Sequence, residues 1–402
     1  MNDKSALKRS LGIPLLVFYG LGVTVGAGIF ALIGDIIGVA GDHAPLAFMI
    51  AGGIAAATAL TYSVLARRYP RAAGEAVYAN AGFGPSAGRL AGLGVGVTGI
   101  ISSGVIAIAF AGYVSTLTGL PTSLLTIVVL VLMGGIACIG IRESVTFAAL
   151  ITILEIGTLV IIIIGGLPWL TDGALWTRVM TLPADRIAFD MTIAAAAVAF
   201  FAFIGFEDIV NMAEEAHEPG RILGPAIGLT LLITIILYVT ITVIAVAIPD
   251  RAAITESEAP LADLFAITTG LPAAPISVMA ALAMVNGILV QIVMVSRVIY
   301  GMANEGLFPR WFAAVAPRTQ TPIRATVLVT TAIGVLALTA PLLTLAQLTG
   351  YVTLAVFTLI NLSLWRVASR ANWHGAGWHR WWGLVGAVLA AGLLAFEIAR
   401  RL

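Results

Sequence analysis

Two short stretches of this chain hold residues of the kind that bind small charged molecules. The first is Gly26-Ala27-Gly28, inside an apolar run from Gly20 to Gly38 that reads GLGVTVGAGIFALIGDIIG. Glycine costs a helix about 1 kcal/mol relative to alanine, so two glycines so close together favour a local break. An unwound turn there frees N–H groups at the start of the following half-helix, and these donors, with the positive helix end, suit a carboxylate. Carbonyls at the end of the preceding half-helix, near Thr24 and Val25, suit an ammonium group. A zwitterion matches both halves of such a break. The spacing Gly22-x-x-x-Gly26 fits a tight crossing of small residues equally well.

The second stretch is Ala199–Pro219, AFFAFIGFEDIVNMAEEAHEP, where an isolated Gly205 is followed by Glu207 and Asp208. Acidic residues at membrane depth are expensive, and their default reading is functional. The bland alternative is that Glu207 caps or pairs locally at the inner end of a short helix.

The elements that must position these residues follow from composition. Of 402 residues, 60% are apolar and 10% charged, against about 25% charged in soluble domains. Runs free of Asp, Glu, Lys and Arg cover Ser10–Gly34, Ala44–Ala66, Leu90–Ile141, Ile222–Pro249, Leu264–Ser296, Ala325–Trp365 and Trp381–Phe396. A helix needs about 20 apolar residues to cross a bilayer. Two of the runs are long enough for two crossings each. Val145–Leu170 and Met191–Met212 add spans carrying acids, which makes eleven. Backbone groups in lipid must pair within the segment, and runs of this length do not fit barrel strands of about 10 residues. The chain is therefore expected to be an all-α polytopic membrane protein. The interrupted spans are the first and the sixth, each the first of five, as in transporters built from inverted repeats.

Placing the N-terminus in the cytoplasm puts 16 of the 21 Lys and Arg on that side, in keeping with the positive-inside rule. The first span outruns a signal-peptide core, so no cleavable signal is expected. One cysteine, Cys138, rules out a disulfide within the chain. A net charge of +1 gives no sign of a nucleic-acid partner. There is no GxxxxGK[ST] phosphate loop, so ATP is not the direct driver. His43, His217, His374 and His379 fall at span ends or loops, and no nucleophile–base pair or metal cluster lies within a span, which speaks against an enzyme. Trp373, Trp378, Trp381 and Trp382 around His374 and His379 read as interface anchors.

GAGIF in span 1, FFAFIGFE followed by AEEAHEP in span 6, and SRVIYGMANEGLFP (Ser296–Pro309) after span 8 resemble the amino acid–polyamine–organocation transporters, closest to the cationic amino acid transporter branch and its prokaryotic relatives. The resemblance implies one transmembrane domain over 1–402, with a five-helix repeat at 11–170, its inverted partner at 190–366, and an extra C-terminal span at 381–399. Spans 1 and 6 would be unwound around the substrate. Amides of Gly26, Ala27 and Gly28 would hold the substrate carboxylate, and carbonyls near Thr24, Phe201 and Ile204 the amine. Phe201 matches an aromatic position that covers the site, with Phe203 nearby.

Relatives often carry a lysine where Glu155 stands in span 5. A carboxyl there can carry a proton in one state and release it in another, as intramembrane acids do, or pair with a neighbouring donor and never titrate in the cycle. Glu155 and Glu207 are the candidate proton-coupling residues. Sodium is the weaker alternative, because span 8 has no paired Ser or Thr at mid-depth to complete a site.

The expected function is secondary transport of an amino acid across the cell (inner) membrane, by proton symport, with no cofactor. Ala27, Phe201, Ala202 and Phe203 imply a small apolar pocket and a neutral side chain. The alternatives are an amino acid exchanger, a cationic amino acid or polyamine transporter, and an amino acid sensor on a transporter fold.

Overall fold

The computed structural model describes residues 11–71, 74–139, 145–213, 215–304, 308–371, 373 and 375–401. Four of the 16 Lys and Arg placed inside (Lys4, Lys8, Arg9 and Arg142), His374, Glu214 of the AEEAHEP motif and 305–307 of the span 8 motif lie outside the described residues. The elements are helical throughout. In chain order they are α1 (Ile13–Thr24), α2 (Ala27–Ala40), α3 (Ala44–Arg68), α4 (Gly74–Phe83), α5 (Pro85–Thr118), α6 (Thr122–Ile139), α7 (Val145–Gly166) and α8 (Gly173–Met180). They continue as α9 (Arg186–Phe200), α10 (Pro219–Ala247), α11 (Ala252–Thr255), α12 (Pro260–Thr269), α13 (Ala274–Asn304), α14 (Ile323–Thr339), α15 (Leu342–Ala368) and α16 (His379–Arg401). Short 3-10 turns follow α2, α7 and α9.

Among the described residues, nine helical segments are long and apolar enough to cross a membrane. The longest, Ala27–Arg68, is α2 and α3 joined through the turn Gly41–His43, and α1 and α14 are shorter apolar helices. With α1 and α2 as one interrupted span, the described helices read as eleven passes, the sixth being α9 and the 3-10 turns that continue it. The span-like segments are buried over only a third to two thirds of their most apolar windows. Much of their apolar surface faces outward, as lipid requires.

The helices pair in a regular way. α3 lies along α10, α5 along α13, and α6 along α14. Small residues set the close approaches, as expected where lipid removes the usual hydrophobic drive. A side chain at Gly99 of α5 would run into Val295 of α13, and one at Gly134 of α6 into Thr330 of α14 at 2.7 Å. α12 turns Leu261, Ala262 and Leu264 inward, fully buried, and packs on α7 and α2.

α16 is held by polar contacts as well as packing. Asn361 of α15 donates to Thr58 Oγ1 at 2.9 Å and accepts from Thr61 Oγ1 at 2.5 Å, both on α3. Gly383 and Gly386 let α16 pass directly over Asn361. Trp382 Nε1 donates to the Ala57 carbonyl at 2.9 Å, so this anchor ties α16 to α3. Tyr351 donates to Glu397 Oε2 at 3.0 Å. Replacing Gly386 with valine places methyl groups on the Asn361 amide and costs about 1–3 kcal/mol by overpacking. The expected outcome is a lower melting temperature for the purified protein in detergent, with Gly392→Val, whose surroundings are open, as the unaffected control.

Candidate functional site

α1 stops at Thr24. Val25 is extended (φ −83°, ψ 100°) and its N–H returns to the Leu21 carbonyl at 2.6 Å. Gly26 is also extended, and α2 restarts at Ala27 with Phe30 N–H reaching back to the Gly26 carbonyl at 3.4 Å. The second break has a different shape. α9 tightens into a 3-10 turn at Phe201–Phe203, Ile204 is extended, and Gly205 takes φ +124°, a conformation that side-chain-bearing residues rarely adopt. The chain then continues as a 3-10 helix over Phe206–Met212.

The two breaks meet backbone to backbone. A side chain on Gly205 would stand 2.8 Å from the Val23 carbonyl oxygen and 3.0 Å from Thr24 N. One on Gly28 would strike the Ala202 backbone, whereas Gly26 has open space where its side chain would go. The glycines therefore divide the work: Gly28 and Gly205 permit the crossing, and Gly26 leaves room. At the face where the chain begins, Leu11 pairs with the segment after the second break. Its N–H donates to Glu215 O, and its carbonyl accepts from His217 N, both at 3.1 Å.

Thr24, Gly26, Ala27, Gly28, Phe201 and Ile204 all lie at this crossing. Thr24 turns its hydroxyl to the Gly20 carbonyl at 2.7 Å. Phe201 is 7% exposed, and Ile204 donates its N–H to the Phe201 carbonyl at 3.2 Å. Phe203 faces the other way. It is fully buried, its ring 6.4 Å from Phe48 of α3 and 5.4 Å from Tyr238 of α10, so it anchors the break to the scaffold.

Tyr238 escaped the sequence reading. Its hydroxyl donates to the Thr24 carbonyl at 3.0 Å, the group expected to receive an ammonium. Glu155, on α7, is 3% exposed, and its Oε2 has no hydrogen-bond partner among the described residues. α7 is pressed on α1 where Gly22 meets Thr152. One turn further on, Glu155 shares that side of the helix and lies close enough to act electrostatically on Tyr238. Nothing in the sequence marks a tyrosine of α10, a span away from either break, as their third member.

Glu207 accepts from Gly205 N–H at 2.8 Å, so it stabilises the break directly. Asp208 accepts from Asn211 Nδ2 at 3.2 Å. Both line a cavity of about 30 Å³ with Tyr62, Glu75, Thr98 and Thr353, room for about one water molecule. On the opposite face, Tyr113 of α5 donates to the Phe30 carbonyl at 2.7 Å and accepts from Leu261 N at 3.3 Å, tying α2 to α12. Arg251 pairs there with Asp42, which also lies 3.8 Å from Arg178.

A family model described as amino acid permease matches residues 11–399. The cationic amino acid transporter 3, mitochondrial, of Arabidopsis thaliana is 29% identical over 384 residues, covering 89% of this chain and 62% of the relative. An uncharacterized transporter of Mycobacterium tuberculosis is 30% identical over 360 residues, 89% of this chain and 80% of the relative. The branched-chain amino acid permease BcaP of Bacillus subtilis is 27% identical over 386 residues, 90% and 82% of the two chains. The chain thus spans less than two thirds of the length of the plant relative, at 62%. The division among the glycines can be tested directly. Gly205→Ala forces a strained backbone worth about 1–3 kcal/mol and should lower the melting temperature, while Gly26→Ala should leave it at the wild-type value.

Proposed function

Because the chain belongs to the amino acid permease family, whose named relatives are transporters rather than enzymes, we propose that it is a secondary transporter that carries a neutral amino acid together with protons. The observation that carries this reading is the paired break. Gly26 stands in open space beside the first turn of α2, where N–H groups have no helical partner, and the Thr24 carbonyl ends α1 a few residues before it. An amino acid has one group for each: its carboxylate on the amides of Gly26, Ala27 and Gly28, its ammonium at the carbonyls of Thr24, Phe201 and Ile204. Ala27, Phe201 and Ala202 offer an apolar wall to the side chain.

Glu155 is the proposed proton carrier. It is buried without an ion pair among the described residues, and it acts electrostatically on Tyr238, the donor to the Thr24 carbonyl. Glu207 is placed second, because its carboxylate also serves the Gly205 amide. The repeats proposed are 11–170 and 190–366, with 381–399 as an added span. Their support is that spans two, three and four (α3, α5, α6) pack on spans seven, eight and nine (α10, α13, α14), each on its counterpart five spans later. The proposed setting is the cell membrane with the N-terminus inside, so that the face carrying Leu11 and α4 is cytoplasmic.

A second reading keeps the fold and changes the cargo. The plant relative is named a cationic amino acid transporter and the Bacillus one a branched-chain permease. Uptake of labelled leucine, alanine and arginine into proteoliposomes separates them, each run with an inward proton gradient, a sodium gradient, or unlabelled amino acid preloaded. Proton-driven leucine or alanine uptake is the expected result. Uptake requiring preloaded amino acid would make the protein an exchanger, and none under any condition would leave a sensor. Two variants localise the parts. Gly26→Leu should abolish binding without unfolding the protein, because its side chain enters open space. Glu155→Gln should lose stimulation by the proton gradient while exchange persists; an unchanged pH profile would retire its role.

A further inference from the structure

Glu75 has no part in the transport scheme above, yet it is the most unusual carboxyl outside the spans. It sits in the first turn of α4, on the face where the chain begins, and is 4% exposed. Its Oε1 accepts from Tyr62 Oη of α3 at 3.3 Å. It shares the 30 Å³ cavity with Glu207 and Asp208, and the rest of that lining (Thr98, Thr353 and the apolar Val95, Val356 and Phe357) carries no charge. No Lys or Arg pairs with any of the three acids among the described residues. Arg370 is spent on the far end of α4, where it donates to the Ala81 and Gly82 carbonyls at 2.7 and 3.2 Å.

A second buried polar group lies beside Glu75 on the same helix. Tyr78, one turn on from Glu75, is fully buried, and its hydroxyl has no hydrogen-bond partner among the described residues. Its ring packs edge-on against Tyr62 at 5.9 Å. The carbon bearing the hydroxyl lies 3.2 Å from where a side chain on Gly74 would stand, so the phenol is turned back toward the start of α4, and it feels the Glu75 charge. An unpaired buried phenol costs about 1–3 kcal/mol, and this one lies near Glu75, which pairs with no Lys or Arg among the described residues.

We infer that Glu75 is a proton-binding residue at the mouth of the broken sixth span, exchanging a proton with Glu207 and Asp208 through the cavity they share. The inference rests on the proton-coupled reading above and adds a residue to it. When the proton leaves the Glu207 carboxyl, the Glu75 carboxylate takes it up and later releases it to water at the membrane surface. One carboxyl ionises as the other is neutralised, so the cluster's charge is unchanged until that release. Release then leaves like charges facing one another across α4 and the 3-10 helix Phe206–Met212, and their repulsion loosens the contact between them.

Burial, then the neighbouring Asp208 charge, pushes Glu75 up to about 7 from an ordinary 4.5. The groups facing it are Tyr62 from α3, Tyr78 from α4, and Glu207 and Asp208 from the sixth span. The sign follows: a raised carboxyl favours the closed contact in its protonated form. That stabilisation is complete below pH 4.5 and is lost as the pH on that face rises through about 7.

Two measurements on the full chain in proteoliposomes decide it. Infrared difference spectra between about pH 5.5 and about pH 8.5 bracket that range. They should show a protonated-carboxyl band that disappears near neutrality in the wild type and is missing in Glu75→Gln. Exchange of labelled leucine for internal leucine, with external pH fixed and internal pH varied, should change by about threefold or more in the wild type, a fraction of the tenfold per pH unit of a fully linked proton. The same exchange should be flat in Glu75→Gln. Glu75→Asp keeps the charge and should shift the midpoint, which covers the case of a glutamine variant that does not fold. An unchanged band in Glu75→Gln overturns the assignment. A lost band with unchanged internal-pH dependence overturns its link to transport. If leucine is not exchanged at all, the transport reading fails while the infrared titration still decides Glu75.

Discussion

Inside a bilayer a backbone N–H or C=O without a partner costs several kcal/mol, and this chain interrupts two helices at the depth where that cost is highest. The rest of the architecture follows from how the interruptions are accommodated. They lie against each other, Gly205 on Val23 and Thr24, Gly28 on Ala202, so each break is shielded from lipid by the other. Their freed groups are then met one by one. Gly205 N–H goes to Glu207, the Thr24 carbonyl receives Tyr238, and the Thr24 hydroxyl returns to Gly20. What stays open is the space beside Gly26, where an added Cβ would meet nothing within 4 Å. Irregular backbone in a membrane is tolerated where it is buried in protein or lines a cavity, and this crossing does both.

A crossing made of unwound backbone has little stiffness of its own, and the surrounding helices supply it. Phe203 is wedged between Phe48 and Tyr238, and Phe206 and Tyr62 meet Phe357 of α15 in edge and tilted contacts. Lipid tails are as apolar as leucine, so these helices gain little from burying apolar area against one another. They gain from close approach at glycine and from hydrogen bonds. The Gly134–Thr330 contact and the Asn361–Thr58–Thr61 ties are of this kind. This accounts for a chain with 43 glycines and 10% charged residues; among the described residues its buried charges are Glu75, Glu155 and Glu207 near the breaks and Glu397 on α16.

The spans and the two interruptions were legible because each has a local signature: apolar length, Gly26-Ala27-Gly28, and Gly205 followed by acids. The cost that makes a break notable is paid by the residues at the break. The partners were not legible, for the opposite reason. Tyr238 reaches Thr24 from 214 residues away, Tyr113 reaches Phe30 from 83, and Glu75 meets Glu207 only because α4 folds back under the bundle. A tyrosine in a span looks the same whether it is bulk or a donor aimed at a carbonyl. Phe203 is the converse case. It stands two residues from Phe201 in a motif-like run, yet the 3-10 turn sends it into the scaffold, and no periodicity in the sequence marks a turn of so few residues.

The acids around the crossing constrain the transport cycle whichever amino acid is carried. The five ion pairs among the described residues all involve arginines outside the crossing, and none involves Glu155, Glu207 or Asp208. On the proposed reading the substrate ammonium and the proton are the two mobile cations that can match charge on these carboxyls. Both would act near Tyr238, which donates to the Thr24 carbonyl proposed for the ammonium and feels the charge of Glu155, the proposed proton carrier. Linkage makes their influence reciprocal: if a proton on Glu155 changes the affinity for the amino acid, the bound amino acid changes the affinity for the proton by the same factor. A lysine at that position carries a fixed charge and cannot take part in such an exchange unless it is itself deprotonated. With glutamate there, this chain has a site that can be neutral or charged at little structural cost, because its Oε2 has no hydrogen bond among the described residues to give up.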